Sequence, residues 1–129
     1  MSAALGSFLA VGVGAALGAW ARWGLSLWLN PRHANVPLGT LAANLIGGYL
    51  VGLVIAWLML HPEVDPRWRL FLVTGLLGGL TTFSSYSAEV VTLMQRGEPG
   101  WALLTAALHL AGSLLLTWLG MATVKALAH

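Results

Sequence analysis

The sequence contains no cysteine, so disulfide scaffolding, thiolate metal centres and cysteine nucleophiles are excluded together. Charge is nearly as scarce. Only 8% of the 129 residues are charged, where an ordinary soluble domain carries about a quarter. Such a chain cannot clothe a water-facing surface. The six basic residues include a single lysine, Lys125, and their scatter along the chain is not a nucleic-acid patch. Acids are scarcer still, and Glu89 is the only one inside an apolar stretch. No paired carboxylates, no Ser-His-Asp set, no P-loop and no dinucleotide fingerprint exist. Enzyme chemistry has no residues to run on.

What the chain has in excess is apolar. It is 58% hydrophobic, with a mean hydropathy of +0.82, which also excludes disorder. Its length suits one domain, 1–129, and not two. The five prolines fall in three places, at Pro31 and Pro37, at Pro62 and Pro66, and at Pro99, and most of the charge falls beside them. Between them lie four apolar stretches, roughly 4–29, 37–60, 69–94 and 100–124. Each reaches the ~20 residues that a helix needs to cross ~30 Å of hydrocarbon. The chain reads as an all-α integral membrane protein of four transmembrane helices with short loops. The first stretch is expected to be a mature helix, because it lacks a basic start and carries Arg22 and Trp23 where a signal peptide would be cut. Most of the seven tryptophans lie near span ends, as an interfacial belt requires.

Basic residues divide evenly across the bilayer. Arg67, Arg69 and Lys125 fall on the N-terminal side, and Arg22, Arg32 and Arg96 on the other. Three against three gives the positive-inside rule little to act on, so the chain either has few charges for trivial reasons or inserts in both orientations. Glycines recur at four-residue spacing as Gly14–Gly18, Gly48–Gly52 and Gly75–Gly79, a spacing that lets membrane helices approach closely. Four helices of this size enclose too little space for a solute path, so oligomerisation is the default.

Polar groups inside lipid are costly, and their positions are the best functional evidence. Thr40 and Asn44 lie one and two turns into the second helix, and Thr81 to Ser87 form a polar run in the third. Thr105, His109 and Ser113 lie along the fourth. Most of this polarity falls in one half of the bilayer, which suggests an aqueous vestibule. Arg22 and Glu89 sit at comparable depth, either as a mutual ion pair or with Arg22 attracting an anion. Asn44 should have a partner, structural or ionic. The stretch Gly75 to Thr82 is the least helix-like of any span, since adjacent glycines and β-branched residues weaken a helix. A break there would be tolerated only where it is buried or lines a cavity. No second ligand stands near His109, so it does not read as a metal site.

Three segments carry a resemblance. Gly18-Ala19-Trp20-Ala21-Arg22 is like G-x-x-x-R, and Gly39-Thr40-Leu41-Ala42-Ala43-Asn44-Leu45-Ile46-Gly47 is like G-T-L-x-x-N-x-x-G. Gly75-Leu-Leu-Gly78-Gly79-Leu-Thr81-Thr82-Phe83-Ser84-Ser85-Tyr86-Ser87-Ala88-Glu89 is like G-x-x-G-G-x-T-T-F-S-T-F-S-x-E. In this order, over essentially the whole chain, they resemble the Fluc (CrcB-type) fluoride channels.

That resemblance implies an antiparallel, dual-topology homodimer in the inner membrane, with the third helix broken near the midplane and two pores. It implies a fluoride-selective channel that lowers cytoplasmic fluoride by passive efflux. Asn44, Phe83, Ser84, Tyr86, Thr105, His109 and Ser113 would line the fluoride pore, and Arg22 and Glu89 the vestibule. Backbone carbonyls of Gly78 and Thr81 would hold a central structural sodium ion shared by both subunits. Membrane lipid is the remaining partner, and nucleic acid is none. Tyr86 stands where the family usually has a second phenylalanine, and Thr105 and His109 where Tyr, Ser or Asn are usual. Dehydrating fluoride needs N–H and O–H donors and positive ring edges, and no lysine lies in the expected pore. The alternative from another class is a proton-coupled exporter of the small multidrug-resistance type. Its mark is an acid in the first helix, and residues 1–21 contain none.

Overall fold

In the computed structural model, which describes residues 2–128, all four apolar stretches become helices long and apolar enough to cross a membrane. Met1 and His129, the ends of the expected domain, lie outside the described residues. Ser2 opens α1 (Ala3–Leu29) by accepting a hydrogen bond from Leu5 N at 3.1 Å, which satisfies one of the donors a helix start leaves free. A short 3-10 turn, Asn30–Arg32, follows. α2 (Leu38–Leu60) begins after Pro37, whose side chain has no oxygen to cap it. Asn30 caps it from across the loop, its Oδ1 accepting from Gly39 N at 2.7 Å and Thr40 N at 3.2 Å. The first two spans are thereby pinned together at one end.

The third span starts at Pro66, three residues before the expected 69, because proline is at ease in a first helical turn. Asp65 caps this α3 (Pro66–Arg69) and pairs with Arg67 at 2.6 Å. Hydrogen bonds from the Arg67 side chain and then its backbone N–H hold the Asp65 carboxyl down to about 2. The chain widens into a π-helix over Leu70–Leu77, tightens again in α4 (Gly78–Leu80), and is then extended at Thr81 (φ −91°, ψ 154°) and Thr82 (φ −149°, ψ 114°). Helix resumes as α5 (Phe83–Gln95). It ends at Gly97, whose φ of +74° suits glycine, with Glu98 N bonded to Leu93 O and Gly97 N to Met94 O. Pro99 then opens α6 (Pro99–Leu127), which runs past the expected 124.

Two close helix crossings dominate the packing, and α1 and α2 also touch each other. α1 lies against the π-helical segment and α4, while α2 lies against α6. α5 leaves α1 and packs on α6, so the third span changes neighbours at Thr81–Thr82. Glycines sit at both crossings. A methyl on Gly14 would stand 3.1 Å from Gly75 Cα, and one on Gly52 would stand 3.1 Å from Gly120 Cα. The paired glycines seen in the sequence are thus helix contacts, and Gly75 and Gly79 serve α1 as Gly48 and Gly52 serve α6. The core is small, with Ala43, Leu77 and Leu80 at its centre. Large apolar side chains such as Phe8, Trp20, Met59 and Leu103 point outward instead. This suits a chain whose solvent is lipid, where outward apolar groups cost nothing.

Candidate functional site

At the change of neighbours the backbone must find new hydrogen-bond partners, since Thr81 and Thr82 no longer follow a helix. Asn44 supplies them from α2. Its Oδ1 accepts from Thr82 N at 2.7 Å, and its Nδ2 donates to Thr82 O at 3.1 Å. Thr82 in turn caps α5, its Oγ1 accepting from Ser85 N at 3.2 Å. These bonds remove the usual i+4 donors from two carbonyls. Thr82 N would have bonded Gly78 O and Ser85 N would have bonded Thr81 O, and both N–H groups are directed elsewhere. Thr81 itself is held, its N and Oγ1 donating to Leu77 O at 3.0 and 2.8 Å.

Beside this segment is an open cavity of about 510 Å³. Its wall includes Asn44 from α2, Gly78 and Thr81 from the third span, Phe83 and Tyr86 from α5, and His109 and Ser113 from α6. No charged side chain reaches it among the described residues. The Phe83 ring is 78% exposed and meets Tyr86 edge-on, with centroids 5.5 Å apart. Tyr86 stacks on His109 at 4.5 Å, and His109 Nδ1 lies 2.9 Å from Asn44 Nδ2. Amide, hydroxyl and aromatic groups from α2, α5 and α6 therefore converge on one apolar-walled space. Such a set can coordinate a small, hard anion without a fixed countercharge.

Other expected residues fall elsewhere. Ser84 is exposed and outside the cavity wall, because the second residue of α5 turns its hydroxyl to Thr82 Oγ1 at 3.3 Å. Thr105 is fully buried, one turn from His109 on α6 and off the wall. Arg22 and Glu89 do not pair. Arg22 Nε donates to Gly79 O at 3.1 Å on the α1 side, whereas Glu89 Oε2 accepts from Thr40 Oγ1 at 2.8 Å on the α2 side. Equal depth did not mean equal azimuth. Glu89 instead borders a second hollow of about 320 Å³ with His33 and Arg96, near the loop joining α1 and α2. Glu89 Oε1, Thr105 Oγ1 and His109 Nε2 are all buried without a hydrogen-bond partner. No group of histidines or carboxylates suited to a metal ion occurs among the described residues.

The sequence placed Thr40 and Thr82 inside the spans without giving their partners, which are Glu89 for Thr40 and Asn44 for the Thr82 backbone. Thr82 did carry a signal, a threonine placed just before a fresh helical run, which is a helix-start signature. Thr40 carried none beyond its depth.

Residues 9–121 match the family described as CrcB-like protein, Camphor Resistance (CrcB). Among curated proteins, the chain is 65% identical to the "Fluoride-specific ion channel FluC" of Variovorax paradoxus, over 93% of this chain and 95% of that one. It is 62% identical to the protein of the same name from Thiobacillus denitrificans, over 92% and 96% of the two chains. With the one from Aromatoleum aromaticum the identity is 58%, over 97% and 95%.

Proposed function

Because the chain belongs to the CrcB family, we propose that it is a fluoride-selective channel of the inner membrane, a multi-pass protein that lets fluoride leave passively and is not an enzyme. The observation that carries this reading is the charge-free cavity lined by Asn44, Phe83, Tyr86 and His109. Fluoride is small, strongly hydrated and a strong hydrogen-bond acceptor. Neutral donors and ring edges replace its water without the deep well that a buried lysine would create. Undissociated hydrogen fluoride crosses membranes in acid and ionises inside. A passive path then lets the anion leave down its gradient, helped by the membrane potential.

The finer reading is an antiparallel homodimer with two pores, in which a second, inverted copy covers the exposed Phe83 face. The cavity of a single chain is open, and Phe83 stands exposed beside it. In that dimer the interruption at Thr81–Thr82 lies near the midplane. The carbonyls of Gly78 and Thr81, which have lost their helical donors, suit a sodium ion shared by two subunits, because sodium favours hard oxygen ligands. The ion would supply a fixed positive centre that ties the two interruptions together, a structural duty. Arg22, bonded to Gly79 O next to that segment, would brace it from the α1 side.

The test is fluoride efflux from liposomes containing the purified protein, with chloride as control. Rapid fluoride loss with little chloride loss is the expected result. Equal passage of both, or of neither, refutes the channel. Fluoride movement that requires an opposing proton gradient would instead indicate an exporter.

A further inference from the structure

The two ring nitrogens of His109 are in different situations, and the chain fixes which one carries the proton. Asn44 Oδ1 accepts from Thr82 N, so the amide nitrogen is the end that faces both Thr82 O and His109 Nδ1. An amide nitrogen carries hydrogens and accepts nothing, so Nδ1 is the acceptor and the ring proton is on Nε2. That Nε2 is buried without a partner, and the ring is 3% exposed and stacked on Tyr86. Both amide protons of Asn44 are therefore occupied, one on Thr82 O and one on His109. The most polar donor on the cavity wall is withheld while His109 is neutral.

We propose that His109 is a proton-operated control on this cavity, releasing the second Asn44 amide proton when it is protonated and thereby raising fluoride throughput in acid. The proposal rests on the reading of the chain as a fluoride channel. A protonated imidazole has no lone pair for Asn44, so the amide proton is freed. Nδ1 becomes a donor in its turn, and the ring gains a positive charge. The two donors favour an anion that accepts hydrogen bonds, and the charge is one that an imidazole can shed again, so it draws fluoride in without the permanent deep well of a buried lysine. Imidazole is also the side chain whose ordinary titration falls between pH 5 and 8.

The surroundings contain little that would cancel the charge. α2 brings Asn44 and Tyr49 toward α6 and has no charged residue along its length. α5 brings Tyr86, stacked on the ring, and Glu89, three residues further along and hydrogen-bonded to Thr40. On α6 itself the neighbour one turn away is Thr105, and the only charged residue is Lys125, far along the helix. The ring forms no ion pair among the described residues. Protonation thus places a charge at the cavity wall that no carboxylate pairs with among the described residues.

The experiment measures fluoride efflux from liposomes holding the purified protein at steps from about pH 8 to about pH 4, so that the series runs through and below the ordinary imidazole range. Protein-free vesicles give the hydrogen fluoride leak to subtract. A several-fold rise toward acid is expected, and a flat profile in His109→Asn, whose Oδ1 accepts from Asn44 without titrating. His109→Gln is the second variant should the first fail to assemble. A wild type that passes fluoride with a flat or falling profile overturns the proton control and leaves the channel reading standing. A wild type silent at every pH overturns both. Independently of transport, nitrogen NMR of histidine-labelled protein should find the Nε2–H tautomer of His109 at alkaline pH and a doubly protonated ring in acid. An Nδ1–H tautomer would overturn the proposal.

Discussion

Asn44 grips the backbone of Thr82 at two points, accepting from its N–H at 2.7 Å and donating to its carbonyl at 3.1 Å. One side chain of α2 thus completes the hydrogen bonding of an extended residue in the third span. The clasp also orients Asn44 for His109 and keeps α5 in position above the cavity.

Asn44→Ala is expected to lower both stability and throughput. It leaves the Thr82 N–H without a partner in a part-buried site, at about 1–3 kcal/mol, while the Thr82 carbonyl keeps the first bond of the helix that it caps. Asn44→Asp keeps the acceptor and loses both donors while adding a negative charge, so it should abolish efflux more completely than Ala. Unfolding in mild detergent and liposome efflux, measured on both variants, separate the two effects. Wild-type stability in Asn44→Ala would contradict the clasp.

Two glycines should respond oppositely to the same substitution. A methyl on Gly79 would stand 3.0 Å from Ala19 N and 3.1 Å from Ala15 Cα, both backbone atoms that cannot turn aside. Gly79→Ala should therefore destabilise by about 1–3 kcal/mol, as overpacking does. Gly12 meets nothing within 4 Å, so Gly12→Ala should be neutral or raise stability by up to about 1 kcal/mol through helix propensity. Thermal unfolding of the two variants in one detergent is the comparison.

The spans were legible because lipid imposes a minimum apolar length and the prolines punctuate it. That Asn44 needed a partner was legible too, since an amide in an apolar helix is costly. Its partner was not, because pairing with Thr82 depends on the rotation of α2 about its axis as well as its depth. The same reason explains Arg22 and Glu89, which share a depth and face different helices. The π-helix over Leu70–Leu77 left no trace in composition, since a widened turn uses the same apolar residues as a regular one. Glycine spacing announced close contacts but not which helices made them.

Phe83 should be indispensable for throughput and Tyr86 more forgiving. The Phe83 ring is largely free of its own chain and lies on the cavity wall, where its edge would replace part of the hydration shell. Phe83→Leu removes that edge at similar volume and should cut efflux severely. Tyr86→Phe keeps the stack on His109 and the contact with Phe83, so activity should persist. Loss of efflux in Tyr86→Phe, with assembly intact, would mean that the pore is built around the hydroxyl.

Exhaustive sodium removal should weaken assembly and then transport. The Gly78 and Thr81 carbonyls have lost their helical donors, and the proposed ion would take the place of those donors, with potassium larger than the ion they would suit. Protein purified in a sodium-free medium should show less dimer by cross-linking and slower efflux, both restored by adding sodium. Full activity and an unchanged dimer after complete removal would exclude a structural ion.

The antiparallel arrangement makes the strongest demand on the protein. Its basic residues divide three to three between the membrane sides, so insertion has little reason to prefer one orientation. The cavity is open on one chain, and Phe83 is 78% exposed beside it, so a continuous path needs a second wall. An inverted copy would bring its polar groups to the opposite half of the bilayer and extend the path across. A parallel copy would leave both polar halves on one side and an apolar half beyond each. Adding several lysines at one terminus should lock orientation through the positive-inside effect. A variant locked one way is expected to fail alone and to recover when coexpressed with one locked the other way. Full fluoride efflux from a single locked variant, with its uniform orientation verified by labelling, would sink the antiparallel dimer.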